Sequence, residues 1–285
     1  MSSPELKPPK LYNYPLYFGC QIVRLCAFEK GVIWREITVD AGPDPEVFDP
    51  WFVALTPAME LPVLSHGGRI FAGAQAICRY LDGAFDGPLL DHRDEAQTWI
   101  DLVESLPIAL LTAARFPRFG RRLLQRRFLR LEARAATNPE LAELYGRKAT
   151  EIDRLARDLS SPERIAAVER QLEVVLDRAE AALAHRPFLT GDRFTLADVF
   201  WAALLARLTL LGHDRLWSAD RRAGLAAYWT RLQDRRSFAR AGLRTQLSLS
   251  DLASAVLRSH WSGLLRIILA LTLAAVGFWL WRNYA

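Results

Sequence analysis

The stretch Ala58-Met59-Glu60-Leu61-Pro62-Val63-Leu64, with Ala76-Ile77-Cys78-Arg79-Tyr80-Leu81 shortly after it, constrains this chain more than any other. Proline has no N–H and cannot donate to a sheet ladder, so a proline between two apolar residues belongs at a sheet edge, a strand start or a cis turn. The residues that follow predict a strand over Val63 to Ser65, a His66-Gly67-Gly68 turn, a strand over Arg69 to Phe71 and a helix from about Gly73 to Phe85.

The residues before it supply a strand, a helix and a strand. Lys10 to Tyr14 reads as the first strand, and Gly19 to Lys30 as a helix closed by Gly31 in the C-cap position. Val32 to Val39 carries the β-branched residues of a second strand, and Ala41 to Pro50, with its prolines, predicts a loop holding at most a short helical turn. The order β-α-β then β-β-α is that of a thioredoxin-like α/β domain, placed at residues 1–85.

Asp86-Gly87-Pro88 reads as a linker, after which helical spacing dominates. Trp99, Leu102, Val103, Leu106 and Leu110 predict one helix from His92 to about Phe116. Next, Leu124, Phe128, Leu131 and Ala135 form an apolar stripe while Arg122, Arg126, Arg130 and Arg134 repeat every four residues on another face. Asn138-Pro139 and Ser161-Pro162 each look like an N-cap followed by proline at the first helical position. Phe194-Thr195-Leu196-Ala197-Asp198-Val199 reads as a capping box opening a further helix, a structural device that says nothing about substrate. Leu225 to Gln233 predicts another. An all-helical domain over residues 86–240 results, with a helical insertion at about 117–161.

Beyond it, residues 241–262 read as a polar stalk and 263–282 as a membrane span. Leu264 to Trp281 is apolar apart from Arg266 and Thr272, and eighteen helical residues cover about 27 Å, close to the hydrocarbon core of a bilayer. Trp279, Trp281 and Tyr284 cluster at one end as interfacial anchors do. Arg240, Arg244, Arg258 and Arg266 precede most of the run and Arg282 alone follows it, which places the folded domains on the cytoplasmic side as a tail-anchored protein.

The first residues are polar and show no secretory signal. Three cysteines, Cys20, Cys26 and Cys78, lie within one small domain, which speaks for a reducing compartment and against a disulfide framework. The net charge of +5 permits anionic partners without naming one. Nucleic acid is not among those indicated, because no aromatic interleaving accompanies the arginines. The scattered histidines indicate no metal site. The arginine stripe has a plain reading as a solvated face and a sharper one as a surface for anionic lipid at Arg122, Arg126, Arg130 and Arg134.

From Leu11 to Phe238 the chain resembles the glutathione transferases. The resemblance rests on the Leu61-Pro62 corner, the Tyr14 to Arg24 run and the Thr195 to Asp198 box. Within that family it is most similar to the class of tetrachlorohydroquinone dehalogenase and the ganglioside-induced differentiation-associated proteins, whose members carry an insertion with similar wording around Phe128-Leu129-Arg130 and Ala142 to Lys148. The resemblance implies glutathione as co-substrate, a cis proline presenting the preceding backbone to its cysteinyl part, and homodimers as the family habit.

It also implies where chemistry would occur. Family members activate the thiol of glutathione with a Ser or Tyr hydroxyl, or use a Cys, near the start of the first helix, where free N–H groups and the dipole favour a thiolate. Tyr17 and Cys20 are the candidates here, the dehalogenases' cysteine falling about at Gly19. Leu61, Pro62, Gly73 and Ala74 are the candidate glutathione contacts. Where relatives carry an acidic residue and a hydroxyl, Gly73-Ala74 leave only backbone donors at a helix N-terminus. Glu60 stands where a cation-friendly residue is common, and its carboxylate would repel the glycyl carboxylate of glutathione. Two functions follow from the resemblance: conjugation or reduction of hydrophobic electrophiles with glutathione beside a membrane, and a non-catalytic adaptor that binds a protein or lipid through the arginine-rich insertion.

Overall fold

In the computed structural model, which describes residues 7–90 and 93–246, strand β1 (Lys10–Asn13), helix α1 (Phe18–Glu29) and strand β2 (Arg35–Thr38) come first. Helix α1 stops where Gly31 takes a φ of +69°, a left-handed turn that glycine enters without a Cβ clash. Strand β2 is shorter than the Val32 to Val39 predicted, because Val32 N–H still donates to Ala27 O (2.9 Å) and so belongs to the end of the helix.

A 3₁₀ turn (Glu46–Phe48) and helix α2 (Pro50–Leu55) follow. The short turn was expected; helix α2 was not. It opens on Pro50, at a position whose N–H would have no intrahelical partner anyway. Strands β3 (Val63–His66) and β4 (Arg69–Ala72) and helix α3 (Ala74–Ala84) complete the α/β part. The sheet order is β2-β1-β3-β4, with β1 parallel to β2 and antiparallel to β3. Gly67 and Gly68 have φ of 56° and 76°, the pair of positive values a two-residue hairpin turn requires. Of the three placements open to Pro62, two coincide: its peptide bond with Leu61 is cis, and it stands immediately before β3.

The helical part runs α4 (Arg93–Glu104), α5 (Ile108–Arg115), α6 (Pro117–Thr137), α7 (Ala142–Leu159), α8 (Pro162–Leu183), α9 (Leu196–Leu210), α10 (Ala223–Gln233) and α11 (Arg236–Arg240). The single helix predicted from His92 to Phe116 is two. Pro107 removes an N–H and its ring crowds the carbonyl four residues back, so α4 ends at Glu104 and α5 restarts at Ile108. Asn138 does not cap α7 either. Its Nδ2 donates to Arg134 O (2.9 Å) and closes α6, and a 3₁₀ turn (Pro139–Leu141) leads into α7. At Ser161 the expected cap forms, its Oγ accepting from Arg164 N–H (3.1 Å).

Helix α9 is buried on nearly every side. The capping box at its start forms, and Asp198 goes beyond it. Its carboxylate accepts from Thr195 N–H (2.8 Å), Leu189 N–H (3.1 Å) and the Tyr228 hydroxyl (2.8 Å). Burial pushes this carboxyl upward and the donors pull it back.

The hairpin of α6 and α7 folds back onto the loop after β2. Tyr145 donates its hydroxyl to Phe48 O (3.0 Å), Arg130 Nε lies 2.9 Å from Asp44, and Arg134 pairs with Asp49. The arginine stripe is therefore split. Arg130 and Arg134, expected to face lipid, are turned inward by these carboxylates, while Arg122 and Arg126 remain exposed. Among the described residues no helix is long and apolar enough to cross a membrane. The span predicted at 263–282, and the stalk from residue 247 onward, lie outside the described residues.

Candidate functional site

Strand β1 ends at Asn13 and the chain turns through Tyr14-Pro15-Leu16-Tyr17 into α1, with Tyr17 N–H donating to Tyr14 O (2.9 Å). Two largely buried arginines hold this turn. Arg24 of α1 donates to Pro15 O (2.8 Å), Asn13 Oδ1 (2.7 Å) and Ala241 O (2.8 Å). Arg207 of α9 donates to Leu16 O (2.5 Å) and Gln21 Oε1 (3.0 Å). Burial lowers the Arg207 guanidinium to about 10, so it stays charged at neutral pH. Both arginines interrupt apolar helical runs, a signal that a charged side chain there has a specific partner.

Tyr17 is the N-cap residue of α1, and its side chain makes no cap hydrogen bond. Burial first, then the Glu60 carboxylate, push its phenol above the ordinary tyrosine value. The group is a neutral hydroxyl at physiological pH, able to donate and unable to serve as a phenolate. Cys20 is different from what its position in the first turn suggested. Its side chain is 0% exposed, it accepts from Tyr14 N–H (3.5 Å), and burial drives its thiol up to about 12. A nucleophilic cysteine needs the reverse, a lowered pKa and access. Cys26 and Cys78 are also buried.

Gly19 joins the parts of the site. A Cβ on it would lie 2.8 Å from Pro62 Cδ, 3.5 Å from Leu61 O and 3.8 Å from Ala74 Cβ. The start of α1, the Leu61-Pro62 corner and the start of α3 thus converge on one glycine, which brings Leu61, Pro62 and Ala74 together two residues after Tyr17. Gly73 has a φ of +85° and spends its N–H on Pro62 O (3.1 Å). The donors that α3 offers an anion are accordingly those of Ala74, Gln75 and Ala76, ahead of the Ile77 N–H to Gly73 O bond (3.2 Å).

Glu60 is not the bare repulsive charge expected before Leu61. Lys148 of α7 donates to Glu60 Oε1 (2.6 Å) and Glu151 Oε2 (2.8 Å), so the insertion brings a cation to the position where the sequence lacks one. Beside Gly19 and Ala74 lies a cavity of about 230 Å³, bounded by Phe18, Val103, Leu106 and Phe200 with Glu104 at its edge. Partial burial and Asp101 raise the Glu104 carboxyl, Arg79 acting against them.

Similarity to known proteins accords with this geometry. Residues 20–84 match the glutathione S-transferase N-terminal domain and residues 162–231 the C-terminal domain. The chain is 31% identical over 238 residues to glutathione S-transferase TCHQD of Arabidopsis thaliana, covering 80% of this chain and 87% of the relative. It is 30% identical over 235 residues to the tetrachloro-p-hydroquinone reductive dehalogenase of Sphingobium chlorophenolicum, covering 80% and 93%. Ganglioside-induced differentiation-associated protein 1-like 1 of Homo sapiens is 28% identical over 269 residues, covering 80% and 72%. Among solved structures, the β-etherase LigF of Sphingobium sp. strain SYK-6 superposes with a TM-score of 0.64 at 21% identity, covering 82% of this chain and 98% of that one. Two domain matches in the family's order, and relatives alike over four-fifths of the chain, establish that this protein belongs to the glutathione S-transferase family.

Proposed function

We propose that this protein is an enzyme that conjugates hydrophobic electrophiles to glutathione. The observation that carries the reading is the convergence at Gly19 of the α1 start, Leu61-Pro62 and the α3 start beside an apolar cavity. Backbone at Leu61 would meet the cysteinyl part of glutathione, and the N–H groups of Ala74 to Ala76 the γ-glutamyl carboxylate. The Tyr17 hydroxyl would donate to the sulfur, which sits over the positive end of the α1 dipole. The thiol proton leaves to water, and the thiolate attacks an electrophilic carbon held in the cavity. A carbon–sulfur bond forms and the leaving group departs with its electron pair.

Conjugation is favoured over the reductive dehalogenation that the name of the Sphingobium relative describes. The position where a dehalogenase cysteine would fall is Gly19, packed on Pro62, and Cys20 is closed off in the core. Of the features behind the adaptor reading, Glu60 is offset by Lys148 and half of the arginine stripe is spent within the chain, while at Gly73-Ala74 backbone donors alone remain. Isothermal titration of the full chain with glutathione tests the reading, with turnover of an aryl halide as the second readout. Hydrogen bonds to charged groups contribute about 1.5–3 kcal/mol, so Tyr17→Phe should lower kcat/KM roughly ten- to a hundredfold. No heat of binding at several millimolar glutathione sinks the proposal.

We further propose that Leu264 to Trp281 holds the chain at a membrane as a single span with the folded part on the cytoplasmic side. The support is the length of the apolar run and the arginine asymmetry around it. A chain stopped before Leu264 should move to the soluble fraction after lysis. Recovery of the full chain in that fraction overturns the anchor.

A further inference from the structure

Three arginines succeed one another along the inward side of α6, and two of them are neutralised. Arg130 lies against Asp44, and Arg134 pairs with Asp49. Arg127 has no carboxylate partner among the described residues. Its Nη2 donates to Ala41 O and to Gly42 O (3.3 Å), and its Nε is buried without a hydrogen-bond partner. The one acidic residue of α6, Glu132, is five positions from Arg127 and so not on its face of the helix, and the sequence from Ser105 to Leu131 contains none.

The anchoring carbonyls fix where this guanidinium sits. Ala41 and Gly42 continue the chain just past β2, whose last residue Thr38 pairs with Asn13, the last of β1. From Asn13 the chain enters the turn that carries Tyr14 and Tyr17. Arg127 is therefore docked at the end of the sheet from which the chain turns towards Tyr17 and α1. The two groups sense each other's charge: Arg127 opposes the upward push of burial, Glu60, Cys20 and Glu151 on the Tyr17 phenol. Burial in turn lowers the Arg127 guanidinium against the fields of Tyr17, Tyr14 and Asp40. Of the other cations around the turn, Lys148 is shared between Glu60 and Glu151, and Arg24 and Arg207 are held on the Pro15 and Leu16 carbonyls, whereas Arg127 is the one that acts on the Tyr17 phenol.

A neutral hydroxyl offers a bound thiolate one hydrogen bond and no charge. An unneutralised guanidinium in a partly desolvated setting offers the charge. We propose that Arg127, delivered by the α6–α7 hairpin, is the cation that keeps glutathione ionised at its sulfur beside Tyr17, which makes the insertion a working wall of the site. The inference rests on glutathione being the co-substrate. The thiol proton goes to water and no other bond changes.

The test is the ultraviolet absorbance of thiolate as a function of pH for glutathione bound to the full chain, compared with the binding of S-methylglutathione, which has no thiol. Arg127→Gln should raise the pKa of the bound thiol by about 1, and Arg127→Lys, which keeps the charge and loses the fork, should stay near the wild-type value. S-methylglutathione should bind the Gln variant within about twofold of wild type. An unchanged thiol pKa in Arg127→Gln overturns the proposal. So does an equal loss of affinity for both ligands, which would place Arg127 at a carboxylate of the peptide or in a purely structural role. If Arg127→Gln does not fold, Arg127→Lys decides alone, and a rise of about 1 there overturns the proposal. A wild-type chain that binds no glutathione fails the functional reading itself, and is told apart by the absence of any titration.

Discussion

At the start of α1, two side chains three positions apart meet opposite fates. Tyr17 lies at the cap, with a hydroxyl that no helix N–H occupies, while Cys20, one turn on, points into the core at 0% exposure. Residue type alone makes the cysteine the better nucleophile; burial, which holds its thiol up to about 12, makes it inert. Because the folded thiol's pKa is raised above an unfolded value near 8.5, its contribution to stability is fully present below that pH and fades as pH rises towards 12. None of the three cysteines should react with iodoacetamide in the native protein at pH 8. At Cys20 the native rate should fall about a thousandfold below that of a free thiol, with all three labelled in denaturant. Mass spectrometry after timed labelling reads this directly, and rapid native labelling at Cys20 would restore it as a candidate nucleophile.

At the scale of elements, the α6–α7 hairpin changes the meaning of residues it does not contain. Glu60 read by itself repels a carboxylate; with Lys148 at 2.6 Å, the same corner gains a cation. Exposed ion pairs contribute at most about 1 kcal/mol, so Lys148→Met should weaken glutathione binding only roughly two- to fivefold. Glu60→Gln in that background should recover the loss. Calorimetric titration of the single and double variants checks it, and an additive further loss in the double variant would show that Glu60 itself holds the ligand. The hairpin's helices were legible from their periodicity, and the junctions at Pro139 and Pro162 from the Asn138-Pro139 and Ser161-Pro162 pairs. Its docking was not, because Tyr145 and Phe48 are 97 residues apart and neither announces the other. The break at Pro107 was open to the same proline argument and was overridden by the apolar spacing of Leu102, Leu106 and Leu110 across it.

Over the whole molecule, local rules carried the order of strands and helices, the Gly67-Gly68 turn, the Leu61-Pro62 corner and the capping box at Thr195, each of which depends on backbone freedom or hydrophobic period within a few residues. They also picked out residues that the fold brings together, since Leu61, Pro62 and Ala74 converge on Gly19, two residues after Tyr17. What the sequence by itself determined is thus the thioredoxin-like and helical architecture and the corner where the α1 start, Leu61-Pro62 and the α3 start converge. Only the tertiary structure decided what surrounds that corner. It closed Cys20 off, spent Gly73 N–H on Pro62, tied the Tyr17 turn to Arg24 and to Arg207, whose carbonyl partner Leu16 is 191 residues away, and brought Arg127 and Lys148 across from the insertion. The physical reason is that pKa, access and ion pairing are set by desolvation when distant elements dock, and a sequence carries the residues for those contacts without carrying their neighbours.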